Sequence, residues 1–326
     1  MSVMLLGLSA CVQDRITMPE PVVDEVTTTA FVPPPPPTDG LQLVIEGDGV
    51  RPGEEMEMCR YINVGNVDMT WVKKIEVVAA PGLHHSIISR IAEERPDSES
   101  PCFGFPDDLG NQLPLPIFAT STQVTQESIA LPEGVGIEMN PRQQLIVNYH
   151  YLNYTDERIK PEIYINLHYG DDAVIGSRAG FYSFTNFGDI AVPPRGKQLI
   201  TMTCPFDDAG LVYSTTPHMH RMGRYFRLQR WDGSDAAETL LEQEGWFDPA
   251  TKIFSPPVLI GAGEGLTFTC EWESDSDETT YFGESSNHEM CFVFGFFYPS
   301  QTDLVGVDGY GCDVVENVIT EAGADD

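Results

Sequence analysis

The most constraining feature of this sequence is a series of short segments, from Leu41 onward, that are either apolar throughout or alternate between apolar and polar residues. Residues 144–151, 162–169 and 265–272 are the clearest cases, and in the last of them every second residue is apolar. No long segment has the 3.6-residue period of an amphipathic helix. Gly, Pro, Asn and Asp separate the segments, and the chain contains 25 prolines. The pattern predicts an all-β fold of antiparallel β-sandwiches.

The length of the chain and one Pro/Gly-rich break predict two domains. A chain of 326 residues is long enough to form two hydrophobic cores of ordinary size. The polar break at residues 191–197 divides the strand-rich part into residues 41–192 and 197–315, each about the size of one sandwich. Residues 316–326 are an acidic tail that we expect to be frayed.

The N-terminus resembles an export signal. An apolar run ends in Leu8-Ser9-Ala10-Cys11, which resembles the bacterial lipobox, a motif whose cysteine becomes the lipidated first residue. Residues 1–11 are therefore interpreted as a lipoprotein signal, and residues 12–40, with five consecutive prolines, as a disordered Pro-rich linker. No Lys or Arg precedes the apolar run, so a start further upstream and a chance match both remain open. The expected location is the cell envelope, to which a lipid anchor would hold the exported chain.

The charge balance limits the partners of the chain. Fifty acidic residues against 18 basic ones give a formal net charge of -32. Nucleic acids and anionic membrane surfaces bind clusters of Lys and Arg, so the composition argues against both as partners. The only membrane contact expected is the lipid anchor. The acidity is interpreted as a solvated surface, and an acidic docking face is the alternative.

A His-x-His pair, His218 and His220, predicts a metal site. On a strand both imidazoles project from the same face, which is a chelating arrangement. Met290 begins an apolar run in which alternation sends Met290 and Cys291 to opposite faces, so a disulfide from Cys270 to Cys291 would fix the strand while Met290 faces a metal. A thioether ligand selects copper. The alternative is a pair of solvated histidines and a methionine of the core.

A second group consists of His84, His85 and His150. Consecutive residues of a regular strand face opposite ways, so one metal can bind both His84 and His85 only where the backbone is irregular. Pro81 and Gly82, just before them, favour such an irregularity. Three imidazoles suit copper and zinc alike, and the residues alone do not separate the two metals.

Taken in order, these motifs resemble the copper type II, ascorbate-dependent monooxygenases, the family of peptidylglycine α-hydroxylating monooxygenase and dopamine β-monooxygenase. The resemblance spans about residues 41–315 and rests on four pieces, namely His84-His85, Tyr149-His150-Tyr151-Leu152-Asn153, His218-Met219-His220-Arg221-Met222-Gly223 and Glu289-Met290-Cys291-Phe292. It implies two antiparallel, jelly-roll-like β-sandwich domains packed side by side. Each domain would hold one copper, with an open, solvent-filled cleft between the two metals.

The resemblance also implies roles for individual residues. An electron-transfer copper would be bound by His84, His85 and His150, and an oxygen-binding copper by the catalytic residues His218, His220 and Met290. The six cysteines other than Cys11 would form the disulfides Cys59–Cys102, Cys204–Cys312 and Cys270–Cys291. The implied cofactors are two copper ions, with ascorbate or another one-electron reductant as co-substrate. The expected reaction is hydroxylation of a C–H bond of a small organic substrate by O2.

The chain departs from the family pattern where substrate would bind. Ser86 stands where the family usually has the Met of His-His-Met. Thr216 stands where peptide-amidating members have a carboxylate-binding Arg, and Phe292 and Phe294 stand where they have Asn and Tyr. Thr216, Phe292 and Phe294 are therefore the candidate substrate-pocket residues. The changes disfavour a C-terminal peptidylglycine and favour a more apolar or aromatic substrate, while a core role for both phenylalanines is the alternative.

Two histidines lie outside the implied ligand set, and two other functions remain open. His168 and His288 are expected to have structural or supporting roles, because the implied set of six ligands is already complete. One rival function is a copper-binding surface lipoprotein that stores or delivers the metal without turnover. The other is a sandwich adhesion module whose histidines are incidental.

Overall fold

The computed structural model describes residues 31–102, 104, 106–109, 114–121, 124–245, 251–283, 285, 287–309 and 311–323. Within them the chain forms 23 β-strands and one short 3-10 helix, Asp107–Leu109. The prediction of an all-β chain is confirmed. No helix in this part of the chain is long and apolar enough to cross a membrane. Cys11 and the lipobox lie outside the described residues.

Two sheets formed by strands of the first half enclose one hydrophobic core. The six-stranded sheet contains, in spatial order, β1 (Gly40–Glu46), β10 (Glu162–Tyr169), β3 (Thr70–Ala79), β8 (Val135–Met139) and β11 (Ser177–Arg178), with β7 (Gln126–Ala130) also paired to β3. The five-stranded sheet contains β5 (Ser98–Pro101), β2 (Glu55–Asn63), β9 (Gln144–Leu152), β4 (Leu83–Ile91) and β6 (Leu115–Ala119). Side chains of both sheets, such as Ile45 and Ile88, share one buried cluster, which is sandwich-type packing.

Most of the remaining strands form a ten-stranded sheet with a core of its own. Its spatial order is β17 (Ala236–Glu244), β16 (Gly223–Trp231), β19 (Gly265–Glu273), β14 (Lys197–Pro205), β23 (Gly311–Thr320), β22 (Leu304–Asp308), β12 (Gly180–Thr185), β21 (Phe292–Tyr298), β15 (Gly210–His218) and β18 (Lys252–Ile260). A two-stranded sheet pairs β13 (Ala191–Val192) with β20 (Thr280–Tyr281). Ile200, Phe268 and Val293 lie in the second buried cluster.

The three segments with the clearest alternation are strands, and their bounds match β9, β10 and β19. Alternation also predicted a strand from Met290, but β21 begins at Phe292. Before it, Glu289 makes an isolated bridge with Phe282, and its side chain is bonded to a neighbouring turn. That bond holds the segment out of the regular sheet.

The predicted division into 41–192 and 197–315 stays a prediction. Strand β12, which precedes the predicted break, pairs with strands of the ten-stranded sheet. The acidic tail differs from the frayed segment expected, because β23 continues to Thr320 through backbone pairing with β14. Residues 324–326 lie outside the described residues.

Three disulfides connect the six cysteines of the folded body. They are Cys59–Cys102, Cys204–Cys312 and Cys270–Cys291. These are the pairs that the family resemblance implied, and the prediction is confirmed.

Candidate metal centre

The first histidine group lies where strand β4 begins beside β9. Regular pairing between the two strands is interrupted between Leu83 and His85, and His85 is paired directly with His150. The interruption lets the consecutive side chains of His84 and His85 converge, and their Nδ1 atoms lie 3.1 Å apart. Gly82, just before the strand, has a φ of 105°, a backbone conformation that favours glycine. The irregularity predicted from Pro81 and Gly82 is therefore present.

The donor atoms of this first group fit one metal ion. One ring nitrogen from each of His84, His85 and His150 lies within 4.8 Å of the others, and all three residues are buried. Two nitrogens bound to one ion at about 2.0 Å, with a near-tetrahedral angle, would lie about 3.3 Å apart. The separation of the two Nδ1 atoms is 3.1 Å. Neutral imidazoles without a thiolate or carboxylate among them suit copper.

The environment of His150 selects the nitrogen that faces the group. Its Nε2 lies 3.2 Å from a carboxylate oxygen of Glu55 and can donate a proton to it. Its Nδ1 is buried and has no hydrogen-bond partner among the described residues. A ring held in this tautomer presents an unused lone pair at Nδ1, which is what a metal ligand requires.

The second histidine group lies where β15 ends. His218 is the last residue of the strand, and His220 follows in a turn closed by a bond from the Gly223 N–H to the His220 carbonyl. The sequence placed both residues on one strand, so the position of His220 differs from expectation, yet the two rings lie only 5.1 Å apart. His220 Nδ1 lies 3.1 Å from the carbonyl oxygen of His288, while its Nε2 is buried without a partner in the described part of the chain. Nε2 is therefore free to bind a metal.

Glu289 connects this turn to the segment that contains Met290. Its fully buried carboxylate accepts hydrogen bonds from the backbone N–H groups of His220 (3.0 Å) and Met222 (2.7 Å), and from the Trp272 indole (2.9 Å). Burial raises the pKa of Glu289 to about 7, although these bonds act in the opposite direction. Met290 follows directly and is 4% exposed, so the structure places it beside the turn that holds His220.

Sequence reasoning assigned no role to Glu289, Trp272 or Glu55. Of the three, Glu289 could have been found from the sequence, because it is an acidic residue directly before a strongly apolar run. A carboxylate in such a run is buried only if it is bonded. Trp272 and Glu55 looked like ordinary strand residues.

The two histidine groups lie against each other. The ring of His84 is 6.2 Å from that of His220, and the ring of His85 is 6.2 Å from that of His218, measured between centroids. The resemblance implied an open, solvent-filled cleft between the metal sites. The structure differs, because five imidazoles from three strands and one turn form a single cluster.

Burial favours the neutral form of four imidazoles of the cluster. Burial, followed by the neighbouring His150 and His220, lowers the pKa of His84 to about 3. Burial also lowers the pKa of His220 to about 4, although the bond to the His288 carbonyl opposes this. The pKa values of His85 and His218 lie well below the ordinary value, mainly because of burial. At neutral pH these rings therefore offer lone pairs without first losing a proton.

His218 is the least buried histidine of the cluster. Four of the five histidines are buried, whereas His218 is half-buried. The ring of Phe292 lies 6.2 Å from that of His218, and Phe292 in turn contacts the rings of Phe187 and Phe282 at 6.0 and 6.4 Å. Phe187 is 46% exposed. Aromatic rings, one of them exposed, therefore adjoin the least buried histidine of the cluster.

The other candidate pocket residues have packing roles in this structure. Thr216 is 2% exposed, and its hydroxyl lies 2.7 Å from the hydroxyl of Thr251. Phe294 is stacked on Phe181 with a centroid distance of 5.8 Å, at the edge of the first core. Of the three candidates, only Phe292 adjoins a histidine of the cluster.

The remaining histidines and Ser86 lie outside the cluster. His168 stands near the end of β10, 3.9 Å from a carboxylate oxygen of Glu76. His288 is exposed, and its carbonyl oxygen rather than its ring contacts His220. The Ser86 hydroxyl donates to the carbonyl of Asn148. These placements match the structural and supporting roles expected for His168 and His288.

Residues 178–307 match the family model described as copper type II ascorbate-dependent monooxygenase, C-terminal domain. This segment of the chain is therefore similar to the copper type II, ascorbate-dependent monooxygenases. The matched segment contains three of the predicted copper ligands, His218, His220 and Met290. His84, His85 and His150 precede it.

A relative from Homo sapiens, named as DBH-like monooxygenase protein 2, is 24% identical to this chain over 263 residues. The match covers 70% of this chain and 49% of the relative, so this chain spans about half the length of that protein. Two solved structures are also similar, one of PNGase F, a glycosylasparaginase from Flavobacterium meningosepticum, and one of recombinant N-glycanase F. Each is 10% identical, and each alignment covers 86% of this chain and 99% of the other, with TM-scores of 0.34 and 0.33. At these scores the likeness carries no argument.

Proposed function

We propose that the protein is a dicopper monooxygenase that hydroxylates a C–H bond of a small organic substrate, with O2 and an external one-electron reductant such as ascorbate. The observation that carries the proposal is the single cluster of five histidines, four of them buried, in which the rings of the two groups lie 6.2 Å apart. The balanced reaction is RH + O2 + 2 e⁻ + 2 H⁺ → ROH + H2O, in which the reductant supplies the electrons.

The two histidine groups would hold one copper each. His84, His85 and His150 would bind the copper that supplies an electron, and His218, His220 and Met290 would bind the copper at which O2 reacts. Copper bound by imidazole and thioether supplies one-electron chemistry with O2. Burial keeps His84, His85, His218 and His220 neutral. The Glu55 carboxylate and the His288 carbonyl fix the tautomers of His150 and His220.

We propose that the two groups belong to two jelly-roll-like sandwich domains, residues 41–192 and 197–315, whose metal sites face each other directly. The ring distances of 6.2 Å across the two groups support this arrangement. An electron would then pass between adjacent sites rather than across solvent.

The substrate proposed for the site is apolar or contains an aromatic ring. Phe292, Phe282 and the partly exposed Phe187 support this choice, because they line the approach to His218. Aromatic rings bury large apolar areas and favour stacked or edge-to-face contacts with other rings. The high net negative charge of -32 disfavours a carboxylate substrate.

An exported location is part of the proposal. Three disulfides support it, because such bonds persist in oxidising compartments. A lipid anchor at Cys11 would hold the protein to the cell envelope.

The test begins with metal content. The purified chain, loaded with copper and freed of loose metal, should retain two copper ions, and ascorbate should reduce both. Apolar substrates containing an aromatic ring should then stimulate ascorbate-dependent O2 uptake and yield a product heavier by one oxygen atom. Two bound coppers without O2 uptake across a broad set of substrates would instead support storage or delivery. Much less than one copper per chain would support an adhesion module.

A further inference from the structure

A buried network of charged side chains connects strands that are distant in sequence. Asp303 lies between β21 and β22, and its carboxylate contacts Arg90 of β4 at 2.5 Å and Arg178 of β11 at 3.2 Å. The side chains of Asp303 and Arg90 are 2% and 8% exposed. The same carboxylate accepts the backbone N–H of Phe181 at 3.0 Å.

The network is closed by Glu138 of β8. Its backbone carbonyl accepts a bond from Arg90 at 2.7 Å, and its carboxylate lies 3.6 Å from Arg178 Nε. Two guanidinium groups are thus balanced by two carboxylates. Removing one partner of a buried ion pair leaves an uncompensated charge and is strongly destabilising, whereas replacing the whole set with apolar groups is often neutral. The role to be tested for such a network is therefore the choice of one arrangement rather than added stability.

The charged residues lie on elements that also carry the histidines. Arg90 is near the end of β4, and His84 and His85 are at its start, roughly 20 Å away at the usual rise of a strand. Asp303 follows β21, which is paired with β15 and faces His218 at Phe292. The two halves of the histidine cluster are therefore joined at a second point, far from the cluster itself.

Apolar contacts also connect these elements, but they leave more freedom. The ring of Phe181 packs against those of Phe294 and Phe296. Such contacts are non-directional, whereas a guanidinium bonded to a carboxylate fixes both distance and orientation. Two separated contact points of different kinds are needed to fix how one sheet lies against another, and the ion network supplies the directional one.

We propose that Asp303 is a positioning residue, which, through Arg90 and Arg178, holds the group of His84, His85 and His150 against that of His218 and His220. The copper readout of this inference rests on the proposed function; the exchange readout does not. Asp303 touches neither metal site. It sets the separation of the two sites rather than the affinity of either.

The test compares the Asp303→Asn variant with the unaltered chain in two measurements. In the copper-loaded protein, electron paramagnetic resonance should show dipolar coupling between two Cu(II) ions. The variant should still bind two coppers but show a weaker coupling, because the distance between the ions is greater. In the metal-free protein, amide exchange along β4 and β15 should become about tenfold faster. Asp303→Glu, which keeps the charge, should recover part of both signals.

Two further variants make the test decisive. Asp277→Asn breaks an ion pair with Arg195 whose side chains are 79% and 62% exposed, and neither signal should change. If Asp303→Asn fails to fold, the apolar set Arg90→Met, Arg178→Met and Asp303→Leu tests the same contact without a buried unpaired charge. The proposal is overturned if a folded variant without the network keeps the dipolar coupling and the amide exchange rates of the unaltered chain. If no copper binds at all, the proposed function fails, and the exchange measurement alone decides the role of Asp303.

Discussion

The rings of His84 and His220 lie 6.2 Å apart, although one belongs to the five-stranded sheet and the other to a turn of the ten-stranded sheet. Neither sheet alone supplies the complete cluster. The site is therefore assembled only when both sheets are in place.

Replacing Met290 with leucine should remove the thioether and conserve the volume. We expect one of two bound coppers to lose affinity for the Cu(I) state and turnover to fall at least roughly 100-fold, because sulfur selects Cu(I). Met290→Ala should behave similarly. Metal analysis and O2 uptake measure the two effects. Met202→Leu, at a fully buried methionine of the second core, should leave both unchanged. Unaltered turnover in Met290→Leu would remove Met290 from the ligand set.

Glu289→Gln should weaken the copper site of His218 and His220 and spare the other. The amide has one acceptor oxygen, while three N–H donors converge on the carboxylate. Leaving buried donors unpaired costs about 1–3 kcal/mol, so the free energy of unfolding should fall by that amount. Chemical denaturation measures the free energy of unfolding, and site-resolved copper titration measures the affinity of each copper site. Glu273→Gln, at a carboxylate 50% exposed, serves as the control and should alter neither. Equal weakening of both copper sites would contradict the specific role given to Glu289.

The metal-free protein should lose stability in mild acid. The pKa values of His84 and His220 are lowered to about 3 and about 4 in the folded state, against an ordinary value of 6.5. Between these limits the unfolded chain binds protons that the folded chain does not. The stabilisation is therefore complete above pH 6.5 and is lost as the pH falls towards 4. Thermal unfolding from pH 7.5 to pH 4.5 measures it, and the paired change His84→Gln with His220→Gln should flatten the slope. A slope unaffected by these changes would show that other groups cause it.

Phe292 should contribute to substrate binding, whereas Phe294 should contribute to the stability of the fold. Phe292→Ala should raise the KM for an aromatic substrate about tenfold with little loss of stability, because Phe292 lines the approach to His218. Phe294→Ala should lower the free energy of unfolding by about 2 kcal/mol, because the ring packs on Phe181 at the edge of a core. Steady-state kinetics and denaturation of both variants form one matched comparison. The assignment fails if the two effects are exchanged.

The strands and the histidine groups could be predicted from the sequence because their signals are local. Alternation within 162–169 is enough to define β10, and Pro81 with Gly82 signals the irregular backbone that lets His84 and His85 converge. The disulfide pairs came from the family resemblance instead, since spacing alone does not fix connectivity.

The contact between the two histidine groups could not be predicted, because it depends on residues without a local signal. Asp303 and Arg90 are separated by 213 positions, and each looks like an ordinary surface charge among many. The role of Glu289 depends on a turn and a tryptophan that only the folded chain brings to it. Similarly, nothing near Phe294 in the sequence distinguishes its packing role from the exposed approach at Phe292.

The half-buried state of His218 has a consequence for kinetics. Among the described residues it is the one histidine of the cluster that solvent reaches. Reductant, organic substrate and product would then share a single entrance and use it in turn. Saturating ascorbate should accordingly slow substrate entry, and excess substrate should slow reduction of the resting enzyme, so each would act as a competitive inhibitor of the other.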